Sequence, residues 1–231
     1  MRQFWLIACV VTTALLGTTQ AQAGFLVSGA GSGNNSGFQS NQTGTVGFEF
    51  TVGSQDLVVT SLGVLDLDFI AAGNGLAYAH KVSLWDATGT TLLGSATVPA
   101  GTTAPLVNGF RFVELATSIK ILAGQSYVLG AYYEDPQGVF ANDLFRSNNA
   151  GQMQAIISAD VTYVQGRFAF GNVFPGSPAS TGYVGPNFEY GVFSDPPVTA
   201  TPEPASLVSG LIGLATLGGL RLRRKASATI V

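Results

Sequence analysis

The sequence predicts an all-β chain: a β-sandwich or jelly-roll-like domain over residues 44–195, preceded by a signal peptide and followed by a transmembrane helix. Three observations lead there. Short runs of alternating apolar and polar residues recur between Gly44 and Phe193, separated by turns rich in Gly, Asn, Asp and Pro. Nowhere in that span does an apolar period of 3.6 residues last long enough for a helix of ordinary length. The one long uncharged apolar stretch, 205–220, stands near the C-terminus directly ahead of a cluster of cations.

Residues 1–23 read as a signal peptide. Arg2 supplies the positive start, 4–16 the apolar run, and Ala21-Gln22-Ala23 the small-x-small cleavage site, so that Gly24 becomes the mature N-terminus. Leu6-Ile7-Ala8-Cys9 has the outline of a lipoprotein box, but the apolar run continues past Cys9 and too few residues precede it. Cleavage removes the single cysteine. The mature chain then has no thiol for a disulfide, a nucleophile or a thiolate metal site. Residues 24–43 read as a flexible Gly/Ser/Asn segment, and Gly29-x-Gly31 within it lacks the third glycine and the following helix of a phosphate loop.

The strands follow in order. Val46, Phe48, Phe50 and Val52 alternate with Gly47, Glu49 and Thr51, the period of a half-buried strand. A β-rich run at 57–69 leads to a turn at 71–75. Val82 and Leu84 oppose Lys81, Ser83 and Trp85 in the strand 80–86, and Asp86-Ala-Thr-Gly89 turns the chain into a hairpin partner at 90–98. After a loop at 99–108, strands are predicted at 110–115, 119–122 and 126–133, the last two joined tightly through Ala123-Gly-Gln125. Residues 140–154 read as polar and irregular, 156–170 as β, 171–186 as a long loop and 188–193 as the last strand. Beyond it lie a Pro-rich linker at 196–204, a helix at 205–220 and a basic cytoplasmic tail at 221–231. Prolines keep the linker out of the helical region. The helix is shorter than the ~20 residues a span needs, so Leu222 and the stems of Arg221 and Arg223 complete it by snorkelling. Arg221, Arg223, Arg224 and Lys225 mark the cytoplasmic side.

The sequence of Pro202-Glu203-Pro204, apolar helix and basic cap resembles the PEP-CTERM sorting signal of Gram-negative bacteria, over about a tenth of the chain. The tail 226–231 runs beyond the cap, and an ordinary C-terminal anchor with a chance Pro-Glu-Pro is the plainer alternative. The resemblance implies two processing partners, signal peptidase at the front and exosortase, a membrane protease-transpeptidase, at the back. It also implies an exported protein, held at the inner membrane before processing and then placed at the cell surface or outside the cell, often in species that make an exopolysaccharide matrix. A second resemblance runs through Val46-Gly-Phe-Glu-Phe-Thr-Val52, Val59-Thr-Ser-Leu-Gly-Val64, His80-Lys-Val-Ser-Leu-Trp-Asp86, Gly109-Phe-Arg-Phe-Val113 and Leu122-Ala-Gly-Gln-Ser-Tyr127. This succession is similar to an uncharacterised β-sandwich domain family of secreted bacterial proteins, and it implies a fold without a chemistry.

Charge narrows the function. Residues 24–200 carry five cations against twelve anions, a net charge of −7. Such a surface repels phosphate and has no basic stripe, which excludes nucleic acid as a partner. No Gly-x-Ser-x-Gly elbow occurs. His80 is the single histidine and is expected on the surface, satisfied or facing solvent. No catalytic residues and no cofactor are assigned. Asp66 and Asp68 share one strand face, a place where calcium would relieve the repulsion, and Asp86, Glu134, Asp135 and Asp143 could converge on them. No calcium-loop spacing supports this, and solvated loop acids are the expectation. Trp85, Tyr132 and Tyr133, with Tyr78, are candidates for stacking on sugar rings, against the alternative of core filling. The expected role is structural or adhesive in a surface or exopolysaccharide matrix. The rivals are a lectin-like carbohydrate-binding module and, after it, a polysaccharide-active enzyme.

Overall fold

The computed structural model describes residues 24–38, 42–67, 73–134 and 143–193. The predicted signal peptide with Ala21 and Ala23, Asp68, the Pro202-Glu203-Pro204 motif, the 205–220 segment and the basic cap lie outside these residues. The chain divides into Met1–Phe193 and Ser194–Val231, and all described residues belong to the first unit. Among them, no helix is long and apolar enough to cross a membrane.

The described chain is all-β with one short helix. Its strands are β1 (Gly24–Phe25), β2 (Asn34–Ser36), β3 (Thr43–Val52), β4 (Leu57–Leu65), β5 (His80–Asp86), β6 (Leu92–Val98), β7 (Leu106–Val107), β8 (Phe110–Ile121), β9 (Ser126–Glu134) and β10 (Phe145–Asn148). The helix α1 (Ala150–Ile156) precedes β11 (Val161–Phe170), β12 (Ser177–Ala179), β13 (Gly182–Val184) and β14 (Pro186–Val192). They form antiparallel sheets in the orders β12-β11-β3-β9-β5-β6, β1-β14-β4-β8-β7 and β13-β10-β2.

The two larger sheets share one core. Val46, Phe48, Phe50 and Val52, predicted to lie on one face of β3, are all buried, and the Phe50 ring lies 5.7 Å from Phe188 of β14. Leu62 and Val64 of β4 and Leu84 of β5 complete the same layer. This is where burial drives the fold, at about 25 cal/mol per Å² of apolar surface removed from water. The other face of β3 is covered as well, which alternation alone does not foresee. The stretch after β11 crosses it: Thr45 Oγ1 donates to the Gly171 carbonyl at 2.8 Å, and Arg167 bridges Glu49 and the Gly176 carbonyl. Gly130 of β9 permits this crossing, since a Cβ there would meet Pro175 and Trp85 at 3.2 Å.

Hairpin β5–β6 forms as expected, with Asp86 Oδ1 accepting from Thr90 N at 3.0 Å and Gly89 in the left-handed region at φ +74°. Residues 110–121 make one long strand interrupted by a bulge, where two strands were expected. The predicted loop 99–108 contains β7, joined to β8 by Asn108-Gly109 with φ values of 53° and 82°. That pair is the sequence of a two-residue hairpin turn.

The Gly/Ser/Asn segment carries more order than its composition suggests. β1 pairs with β14, setting Gly24 level with Tyr190, and Leu26 N donates to the Phe188 carbonyl at 2.9 Å. Buried Asn187 fastens Val27 from both sides, accepting from its N–H at 2.9 Å and donating to its carbonyl at 2.8 Å. β2 lies against β10, and buried Asn148 accepts from Gly33 N at 2.8 Å. Side-chain amides here do what a longer strand ladder would do elsewhere. The irregular reading of 140–154 likewise gives way to β10 and α1, whose N-terminus is closed by a capping box between Asn149 and Gln152.

Candidate functional site

The concave site is built on the face of the five-stranded sheet. Glu189 of β14, Ser61 of β4 and Glu114 of β8 are direct register partners across three adjacent strands, and Phe25 of β1 partners Glu189. Direct partners share a face, so these four side chains form one row. Ser61 is 3% exposed and its hydroxyl donates to Glu189 Oε2 at 3.1 Å, while Glu114 is exposed. Phe112 stands two residues from Glu114 on that face, with its ring centroid 5.4 Å from that of Phe25. Pro99, Thr103, Pro105 and Val107 form the opposite wall of a cavity of about 440 Å³.

That wall is anchored by charge. Arg111 of β8 is buried, and its Nε donates to Asp66 Oδ2 at 2.6 Å. Its Nη1 donates to the carbonyls of Thr102 and Ala104 at 3.2 and 2.8 Å. Phe112 N adds a bond to the Pro105 carbonyl at 3.1 Å. One guanidinium thus ties a buried carboxylate to the loop that closes the groove.

The residues singled out in the sequence fall elsewhere. Asp66, read as a calcium candidate or a solvated acid, is 6% exposed and meets the guanidinium of Arg111 instead. Asp86 is engaged in its turn with Thr88 and Thr90. Asp143 accepts from the backbone N–H groups of Ala77 and Tyr78, both at 2.9 Å. These acids do not converge, and among the described residues no group of three or more His, Asp or Glu could hold a metal.

His80 is not at the surface. It is fully buried, with Nδ1 2.9 Å from the Tyr132 carbonyl and Nε2 2.8 Å from Asp143 Oδ2. A partner 63 residues away supplies what solvent was expected to supply.

The aromatic candidates divide between faces. Tyr132 and Tyr133 are neighbours on β9 and point to opposite sides. Tyr133 is core, 4.5 Å from the His80 ring and 5.3 Å from Phe145. Trp85 and Tyr132 are half-buried on the outer face of the six-stranded sheet. Phe174 packs edge-on against Trp85 at 5.7 Å. The three rings therefore do not form one platform, and the groove beside Glu114 draws on residues that had carried no assignment.

Buried phenols give the domain an alkaline limit. Burial pushes Tyr163 up to about 12 from an ordinary 10.0. Burial, with the neighbouring Asp160 carboxylate, raises Tyr190 to about 12 against the opposing hydrogen bond with Ser158. Burial foremost, then Asp143, holds Tyr133 well above its usual value. A phenol whose pKa is raised by folding contributes stability that is intact below pH 10.0 and lost as pH climbs toward 12. Absorbance at 295 nm should show these three of the seven tyrosines ionising late, together with loss of the circular dichroism signal. Titration of all seven near pH 10.0 with the fold intact would contradict this.

Two solved structures resemble the chain distantly. They are a D431N mutant VP2 protein of infectious bursal disease virus in T=1 particles and the VP2 subviral particle of the same virus, at 10% and 12% identity. TM-scores are 0.25 and 0.22, with 93% and 90% of this chain covered. The chain spans about half the length of each, 53%. No curated protein matches. Residues 30–185 match a family model described as a domain of unknown function, DUF4082, and because that match takes in more than half its length, the chain belongs to this family.

Proposed function

We propose that this is an exported surface or matrix protein, cut after Ala23 by signal peptidase and handed to exosortase at Pro202-Glu203-Pro204, with a structural and adhesive role beside an exopolysaccharide. The observation that carries the reading is the order of the C-terminal parts: motif, apolar 205–220 segment as a transmembrane helix, then Arg221, Arg223, Arg224 and Lys225. The domain's own boundaries support it. Gly24 is the first residue of β1, so the N-terminal cut removes no described strand. At the other end Phe193 N donates to the Asp56 carbonyl at 2.8 Å, and Lys120 lies 3.9 Å over its ring while pairing with Asp56. The β-domain is thus fastened ahead of the linker, and trimming at both ends leaves it whole.

In this reading the domain is a substrate of processing and not a catalyst. A lectin-like role is the second reading, favoured by the groove at Glu114 and Glu189. Cleavage of polysaccharide is third, since it needs a carboxylic acid at a water-excluded position, and Glu114 is exposed while Glu189 accepts from Ser61.

The test is the intact mass of the mature protein from its native host. The expected product begins at Gly24 and ends near Pro202-Glu203-Pro204, with the C-terminal trimming lost when exosortase is deleted. An unprocessed 23.8 kDa chain dissolved in the cytosol would overturn the proposal.

A further inference from the structure

We propose that the groove between the row Phe25, Glu189, Ser61, Glu114 and the 99–107 wall binds a polysaccharide whose repeat carries free amines, as in a deacetylated amino-sugar polymer. This deepens the exopolysaccharide-associated reading and rests on it for the choice of polymer.

Charge complementarity selects the ligand. The groove is lined by two glutamates and by no Lys, Arg or His, within a region of net charge −7. Uronates and sulfated sugars are repelled by such a site, and an ammonium group is attracted. Spacing argues against a single small ion. Glu114 and Glu189 stand on strands two apart, with Ser61 between them, so their Cα atoms are roughly 10 Å apart by the usual strand separation. Two carboxylates at that distance address two points along a chain. Ser61 is buried, and its hydroxyl holds Glu189 in place instead of facing the ligand.

The apolar part of the groove fits the rest of a sugar. Phe25, Pro99 and Pro105 offer apolar surface for the C–H faces of pyranose rings, buried Phe112 backs Phe25, and the Phe25 ring also favours a nearby ammonium. A lysine-bearing peptide shares the charge but is the poorer match. Extended peptides gain affinity by adding a strand to a free sheet edge, whereas this floor is the face of paired strands whose backbone groups are already spent on β1, β14, β4 and β8.

The experiment is calorimetric titration of the full chain, purified in a detergent without a sugar headgroup, with a glucosamine hexamer, an N-acetylglucosamine hexamer and a lysine-rich peptide. The glucosamine hexamer is expected to bind, to weaken with added salt, and to bind roughly tenfold better than its acetylated counterpart. Glu114→Gln, at an exposed position, should cost roughly tenfold in affinity with an unchanged circular dichroism spectrum, and Phe25→Ala should weaken both oligomers. Equal binding of the two hexamers, indifference to Glu114→Gln and Glu189→Gln, or tighter binding of the peptide would each overturn the assignment. A correctly processed protein that ignores the hexamers loses this site and keeps its export, while an unprocessed one that binds them does the reverse.

Discussion

Arg111→Met is expected to lower the free energy of unfolding by about 3–5 kcal/mol. Arg111 and Asp66 are 4% and 6% exposed, with 2.6 Å between Nε and Oδ2. Removing the guanidinium takes the opposite charge away from a buried carboxylate, and the carbonyls of Thr102 and Ala104 lose the bonds it donates. The buried charge makes the loss large, so adding Asp66→Asn to Arg111→Met should restore part of it. Urea denaturation of the two variants measures both numbers. A loss under about 1 kcal/mol for the single variant is what an exposed pair gives, and would mean the pair is wetter than its burial indicates. The same variant should weaken the binding proposed for the glucosamine hexamer, since Arg111 fixes the wall that carries Thr103 and Pro105.

Phe50→Ala is expected to cost about 3–5 kcal/mol by removing a large side chain from a site that cannot collapse. Phe50 is fully buried two residues before the end of β3, with ring centroids 5.7 Å from Phe188, 6.1 Å from Tyr127 and 6.3 Å from Phe48. Paired strands on both sides hold β3 in place, so the backbone cannot move in to fill the space. Phe188→Ala opens the same space from the opposite sheet, and the double variant should therefore cost less than the sum of the two. Phe170→Ala is the control: at 64% exposed, it should stay within about 0.5 kcal/mol. Near-equal effects at Phe50 and Phe170 would mean that the two large sheets do not share the core described here.

Periodicity carried the reading as far as single strands and close hairpins. The alternation from Val46 to Val52 and the turn Asp86-Ala-Thr-Gly89 are local signals, and the structure follows both. Two other local signals are equally short in range. Asn108-Gly109 marks the β7–β8 turn inside a stretch read as loop, and Asn149 with Gln152 marks the start of α1 inside a stretch read as irregular. What remained hidden depends on partners distant in the chain. His80 reads as a surface residue because Asp143 gives no sign, 63 positions away, that it will meet the ring. The cover that Phe174 gives Trp85 comes from a loop with no period of its own. The groove is the plainest case. Ser61, Glu114 and Glu189 become neighbours only through the register of three strands, next to bulges that shift it, and pattern within any one strand cannot supply that register.

The level placement of Gly24 and Tyr190 has a mechanical outcome. β14 is flanked by β1 and β4, and the chain leaves it at Phe193, at the same end of the sheet where Gly24 begins. A pull applied at Phe193 along the axis of β14 loads its bonds to both neighbours. Its cross-strand bonds are then strained in shear and must give way together, where a strand pulled sideways would peel them off one at a time. A strand held on both sides in this way withstands an axial pull that would unzip an ordinary hairpin.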